Sequence, residues 1–191
     1  IDDMIDIFVE KGIGTREGFE DAIENGEFDY WFLKELEPNA ERFYRLEGYL
    51  YPDTYRFFTN SSETAVLKKL LDNFNKKVPK SYKDECEALG ITLDQAVILA
   101  SLIEAECLWV TDFELVSGVF HNRLNDTSFN GRFDSDATIQ YYLRHTTGAR
   151  KEELSEDDLK IAEKDIQKMT DDMCKEIDAL LAKKEQELLA V

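Results

Sequence analysis

The sequence predicts a helix-rich α+β fold, and three observations carry that expectation. Apolar residues recur at helical spacing in several separate stretches, an aromatic-rich segment at 46–58 interrupts them, and residues 150–191 hold one long apolar seam. The 191 residues allow one domain, or one domain with an appendage. With 12 Phe, 8 Tyr and 2 Trp the chain has the aromatic surface for a real core, which excludes a disordered acidic polymer. A net charge of −18, spread over the whole length, argues against a nucleic-acid partner, because phosphate binding needs clustered Lys and Arg. The longest apolar run, 96–100, is far short of the ~20 residues of a bilayer span. No signal-peptide pattern opens the chain, and Ile1 reads as an internal cut.

The elements follow in order. Ile1, Met4, Ile5, Phe8 and Val9 share one helical face, and Gly12 and Gly14 stop that helix. Thr15 caps a second helix carrying Phe19, Ala22 and Ile23, closed by Gly26. An aromatic cluster (Phe28, Tyr30, Trp31, Phe32) precedes Pro38. The stretch LEGYLYPDTYRFF at 46–58 reads as extended, with a turn at Pro52–Asp53. Ser61 or Ser62 caps the next helix, whose stripe is Val66, Leu67, Leu70, Leu71 and Phe74, ending near Pro79. Thr92 and Gln95 form a capping box, and Ala96 to Ile103 is apolar nearly all round, the pattern of a buried helix. A further helix starts at Asp112 with Leu115, Val116, Val119, Phe120 and Leu124. Residues 129–141 form a loop leading into a new element at Thr138–Tyr141. In the last stretch Leu159, Ala162, Ile166, Met169, Met173, Ile177 and Leu180 make a seam of coiled-coil type behind a Ser155 cap. Such a helix needs a helical partner, from this chain or another, to cover its stripe.

Little of the chemistry declares itself by spacing. Cys86, Cys107 and Cys174 are odd in number and scattered, and His121 and His145 are the sole histidines, so neither a disulfide framework nor a metal site is expected. No cofactor motif is present. Asp134 and Asp136 flank Ser135 as a weak D-x-D, better read as a turn or cap than as a cation loop. Glu104 stands at the end of the most apolar helix, where burial would raise a carboxyl's pKa and make it a general acid. Ser101 lies one turn back and is placed to hydrogen-bond it. Glu106 points about 200° away round the helix, so the two glutamates are not a pair. Spacing alone favours two solvated last-turn residues over a general acid. Asn122–Arg123 suits a sugar hydroxyl or a carboxylate, or a plain helix end.

Four blocks add a resemblance. LEGYLYPDTYRF at 46–57, LASLIEAE at 99–106, VSGVFHNRL at 116–124 and FDSDATIQY at 133–141 resemble the endolytic murein transglycosylases of the YceG-like (MltG) family over about 1–150. The resemblance implies a partial LysM-like N-terminal subdomain at 1–45 and a catalytic region at 46–150. In the latter, a small sheet near 46–58 and 129–141 walls a groove. It also implies lytic cleavage of the MurNAc–GlcNAc bond within peptidoglycan glycan strands, giving 1,6-anhydro ends. Glu104 matches the family's catalytic glutamate, as acid and then base. Glu106, Asn122, Arg123, Asp136, Thr138 and Tyr141, with Ser101, are implied as substrate-binding or supporting residues.

The family works at the extracytoplasmic face of the bacterial inner membrane, in company with the cell-wall synthesis machinery. This chain lacks the family's membrane helix and is expected to be soluble. It also lacks the family's Tyr-Asn-Thr-Tyr and Gly-Leu-Pro-Pro segments. The stretch 153–191, within the third segment 151–191, instead resembles the last helix of bacterial ribosome recycling factor. Two other readings stand beside the enzyme: a glycan-binding, helix-pairing module that does not cut, and a ribosome-associated protein acting through the tail.

Overall fold

The computed structural model describes residues 1–36, 42–126, 128, 133 and 135–148, with seven further residues between 155 and 168. The chain divides into two compact units, Ile1–Ser101 and Leu102–Val191. Most of the seam expected at 150–191 lies outside the described residues.

The first unit is built on four helices. Helix α1, Asp2–Glu10, buries Ile5, and glycines with positive φ, Gly12 (+73°) and Gly14 (+67°), turn the chain after it. Helix α2, Arg16–Asn25, begins as predicted at Thr15, whose hydroxyl accepts the Gly18 N–H at 3.0 Å, and it buries Phe19, Ala22 and Ile23. One guanidinium ties the two helices: Arg16 reaches Asp2 at 3.0 Å, Glu20 at 3.3 Å, and Asp6. Helix α3, Glu63–Lys77, is capped by Ser62 and buries the whole predicted stripe of Val66, Leu67, Leu70, Leu71 and Phe74. Helix α4, Ser81–Ala88, has one buried residue, Cys86, and no apolar stripe from which it might have been read.

Aromatic rings fill the centre of this unit. Phe32 stacks on Tyr49 at 5.6 Å and 3°, and Phe74 meets them at 4.7 and 5.2 Å. Each large side chain withdrawn here contributes roughly 1.5–3 kcal/mol. The polar tips keep partners: the Tyr30 hydroxyl donates to Asp72 at 2.6 Å, and the Tyr49 hydroxyl to Asp94 at 2.7 Å. Burial, then the neighbouring carboxylate, pushes both phenols above their ordinary range.

The 46–58 stretch departs from expectation. Residues 45–49 turn, and Gly48 there has φ +87° and lies so close to the helix of residues 93–106 that a Cβ would stand 2.6 Å from Val97. Residues 51–58 form neither a strand nor the turn expected at Pro52–Asp53. Side chains of α3 hold them instead: Asn73 donates to Asp53 at 3.0 Å and to the Tyr55 hydroxyl at 2.8 Å, and Lys69 donates to the Arg56 carbonyl at 2.6 Å. The expected sheet is therefore not formed by the described residues, because its second half, 136–141, is helical.

Helix α5, Leu93–Glu106, starts in the first unit and ends in the second. Its capping box is present in both directions, Thr92 N–H to Gln95 at 2.8 Å and Gln95 N–H to Thr92 at 3.1 Å. Its predicted burial is not. Leu93 is the one buried residue, Ala96 and Val97 pack at the core's edge, and Ile98 is 48% exposed. An all-round apolar helix is buried when something covers every side, and here one face alone meets the core.

The second unit continues from Leu102 through a short 3₁₀ turn, Val110–Asp112, into α6, Phe113–Asn125, and then α7, Asp136–Thr147. Gly148, at φ +69°, ends α7 in the left-handed conformation usual at a helix C-terminus. Phe120, Leu143 and Ser135 are its buried residues among those described.

Candidate active site

The site residues are set out along α5, α6 and α7. Upstream, Asp94 in the first turn of α5 is held by Arg42 at 2.5 Å and by Tyr49 at 2.7 Å. The Arg42 and Asp94 side chains are largely withdrawn from water, so the helix start is tied to the aromatic core.

The last turn of α5 presents two glutamates in different surroundings. Glu104 is exposed and makes no hydrogen bond or ion pair among the described residues, so the burial expected around it is absent. Ser101 does not reach it; its hydroxyl donates back to the Ile98 carbonyl at 2.7 Å, the local bond that serines in helices often choose. Glu106 is engaged: the hydroxyl of Ser135 donates to its Oε1 at 2.6 Å. Ser135 is 7% exposed and occupies the N-cap position of α7, yet its side chain makes no capping bond to its own helix.

Arg123, near the end of α6, donates to the Phe133 carbonyl, and Phe120 meets the Phe133 ring edge-on at 5.2 Å. Asn122 is exposed on the same helix. On α7, Asp136 opens the helix, Thr138 is half-buried, and Tyr141 lies against His145 with ring centres 4.4 Å apart. The structure therefore brings Glu106, Arg123 and the start of α7 into one connected group and leaves Glu104 outside it. Sequence reasoning did not single out Ser135 as a partner of Glu106. The residue's position before a helix carries a cap signal, but its partner is 29 residues away.

Among the described residues no three of His, Cys, Asp and Glu gather as a metal site requires. A cavity of about 110 Å³ lies in the first unit between Phe32, Tyr49, Lys83, Thr92 and Asp94. It is well under the roughly 300–1,000 Å³ of ordinary ligand pockets. No single helix among the described residues is long and apolar enough to cross a membrane.

These features define a helical scaffold that offers one unpaired carboxylate at a helix end and a braced second helix beside it. The family model described as the YceG-like family matches residues 2–173, and the chain belongs to that family. The match runs past residue 150, the limit set by the motif blocks. An endolytic murein transglycosylase of Streptococcus pneumoniae serotype 2 is 34% identical over 82 residues, 43% of this chain and 15% of that protein. One from Bacillus subtilis is 31% identical over 119 residues, 61% of this chain and 30% of that protein. The chain thus spans under a third of the length of these relatives. A ribosome-recycling factor of Streptococcus pyogenes serotype M28 is 60% identical over 42 residues, 22% of this chain and 23% of that protein. No solved structure matches.

Proposed function

We propose that the chain is the catalytic part of a peptidoglycan lytic transglycosylase, with Glu104 as its acid and base. The family match carries this reading, with Glu104 at the end of α5 where the motif puts it. In the proposed reaction the protonated Glu104 gives its proton to the glycosidic oxygen between N-acetylmuramic acid and N-acetylglucosamine, and the C1–O bond breaks. The carboxylate left behind takes the proton from the muramoyl C6 hydroxyl. That oxygen bonds to C1, which closes the 1,6-anhydro ring and returns Glu104 to its acid form. No water is consumed, and because the nucleophile belongs to the sugar, one carboxylate suffices where ordinary glycosidases use two. Glycan laid over the last turn of α5 shields Glu104 from water, so the dry surroundings absent from the free chain come with the substrate.

Within this reading, residues 1–45 are a LysM-like part, 46–150 the catalytic region, and 151–191 a stretch whose sequence resembles the end of ribosome recycling factor. The place of action is the cell envelope. Asn122, Asp136, Thr138 and Tyr141 line the glycan path.

The test is digestion of purified glycan strands by the full chain, with mass spectrometry for 1,6-anhydro ends. Product that falls by about 10²- to 10⁴-fold in Glu104→Gln is the expected result, the scale of a general acid. Equal product from both proteins overturns Glu104 as the acid. Glycan retention without any product identifies a binding module instead, a reading that the exposure of Glu104 favours.

A further inference from the structure

We propose that Ser135 is a positioning residue: through Glu106 it fastens the start of α7 to the end of α5, and so fixes the glycan-facing residues of α7 relative to the helix that carries Glu104. The inference rests on the transglycosylase reading for its catalytic consequence, and on geometry for the clamp itself.

A serine at an N-cap ordinarily turns its hydroxyl oxygen to the free N–H groups of its own first turn, a bond contributing about 1 kcal/mol. Ser135 has that position and makes no such bond. Its hydroxyl is directed to Glu106, at 2.6 Å, and the residue is 7% exposed. A hydroxyl donating to a carboxylate is stronger than the neutral cap bond it replaces. The arrangement also sets a negative side chain beside the N-terminus of α7, where the helix dipole favours it. A second attachment lies two residues earlier, where Arg123 holds the Phe133 carbonyl and Phe120 packs on the Phe133 ring. The segment entering α7 is thus fixed from α5 and from α6 at once. Asp136, Thr138 and Tyr141 follow directly from this point. Glu106 and Arg123, which their motif positions suggested as sugar contacts, work here as parts of the brace.

The full chain tests this with five variants and two readouts. Removing the hydroxyl (Ser135→Ala) or the acceptor (Glu106→Ala) should lower kcat/KM on glycan strands about tenfold, the scale of one charge-assisted hydrogen bond. Ser135→Thr, which keeps a hydroxyl, should restore most of the loss, and the double variant Ser135→Ala/Glu106→Ala should be no worse than either single one. Glu106→Gln keeps an acceptor and should lose less than Glu106→Ala; if instead it loses as much while Ser135→Ala is silent, Glu106 touches the sugar and the proposal fails.

Hydrogen exchange of the amides at 136–140 reads the clamp without turnover. Exchange should quicken about tenfold in Ser135→Ala and in Glu106→Ala, and be restored in Ser135→Thr. Unchanged exchange in Ser135→Ala overturns the proposal. A wild-type chain that makes no anhydro product yet shows this exchange pattern overturns the enzymatic reading and leaves the clamp standing.

Discussion

The two units spend their apolar residues differently. In the first, Phe32, Tyr49 and Phe74 are buried against one another, and the polar tips at the core's edge have partners. In the second, Leu108, Trp109, Val110 and Leu115 are 92%, 70%, 77% and 73% exposed, and Phe120 and Leu143 are the buried hydrophobic residues among those described. Contiguous exposed apolar surface of this kind marks places where a protein meets something else. The contrast separates two tasks. The first unit gives α5 a firm start in the aromatic core, and the second carries the motif residues on α6 and α7.

The comparison breaks or sharpens by measurement. The largest effect is expected from Phe74→Ala, which empties the centre of the first unit and should cost about 3–5 kcal/mol in denaturant unfolding. A loss under about 1 kcal/mol there would mean that the aromatic core does not carry the unit.

Next comes alkaline sensitivity. Burial, then the hydrogen bond to Asp2, pushes the Tyr44 phenol up to about 12, and burial with Asp94 pushes Tyr49 higher still. A raised phenol contributes stability that is fully present below about pH 10, the unfolded value, and lost as pH climbs through the folded one. Urea midpoints should therefore fall above pH 10, less steeply in Tyr49→Phe; an identical slope in that variant removes Tyr49 from the account. On the acid side, burial raises the Asp2 carboxyl, but the hydrogen bonds from Tyr44 and Arg16 outweigh it and hold it below 3.8. That contribution is present above pH 3.8 and goes as pH drops through the lowered value.

Smaller again, Ser62→Ala removes the cap of α3 and should cost about 1 kcal/mol in the same unfolding assay. The smallest effect belongs to the second unit: Leu115→Ala should change stability by no more than about 0.5 kcal/mol. A cost there matching that of Phe74→Ala would show that Leu115 is covered in solution, and the contrast between the units would vanish.

What the sequence disclosed follows the range of the interactions. The caps at Thr15, Ser62 and Thr92 were legible because each bond spans three residues. The stripe of α3 was legible because its five apolar positions face one core. Helix α4 was not, since SYKDECEA has no periodic apolar face. The burial of α5 was misread because composition records which side chains seek cover, and not whether a neighbour supplies it. Ser101 was misplaced because a helix carbonyl one turn back competes with any side chain one turn on. The bond from Ser135 to Glu106 crosses 29 residues, beyond anything spacing could show. For the candidate site, the motif blocks placed Glu104 at a helix end, and the structure adds which of its neighbours are joined to one another.

Helix α5 has a consequence for the direction in which Glu104 faces. Each residue of a helix turns the next by about 100°, so Glu104 and Glu106 leave its last turn about 200° apart. Ser135 holds the second of them. Inserting one residue between the two would therefore swing Glu104 a further quarter-turn relative to the held carboxylate, without altering any existing side chain. Helical phase, a quantity held by spacing alone, is what sets Glu104 apart from the start of α7.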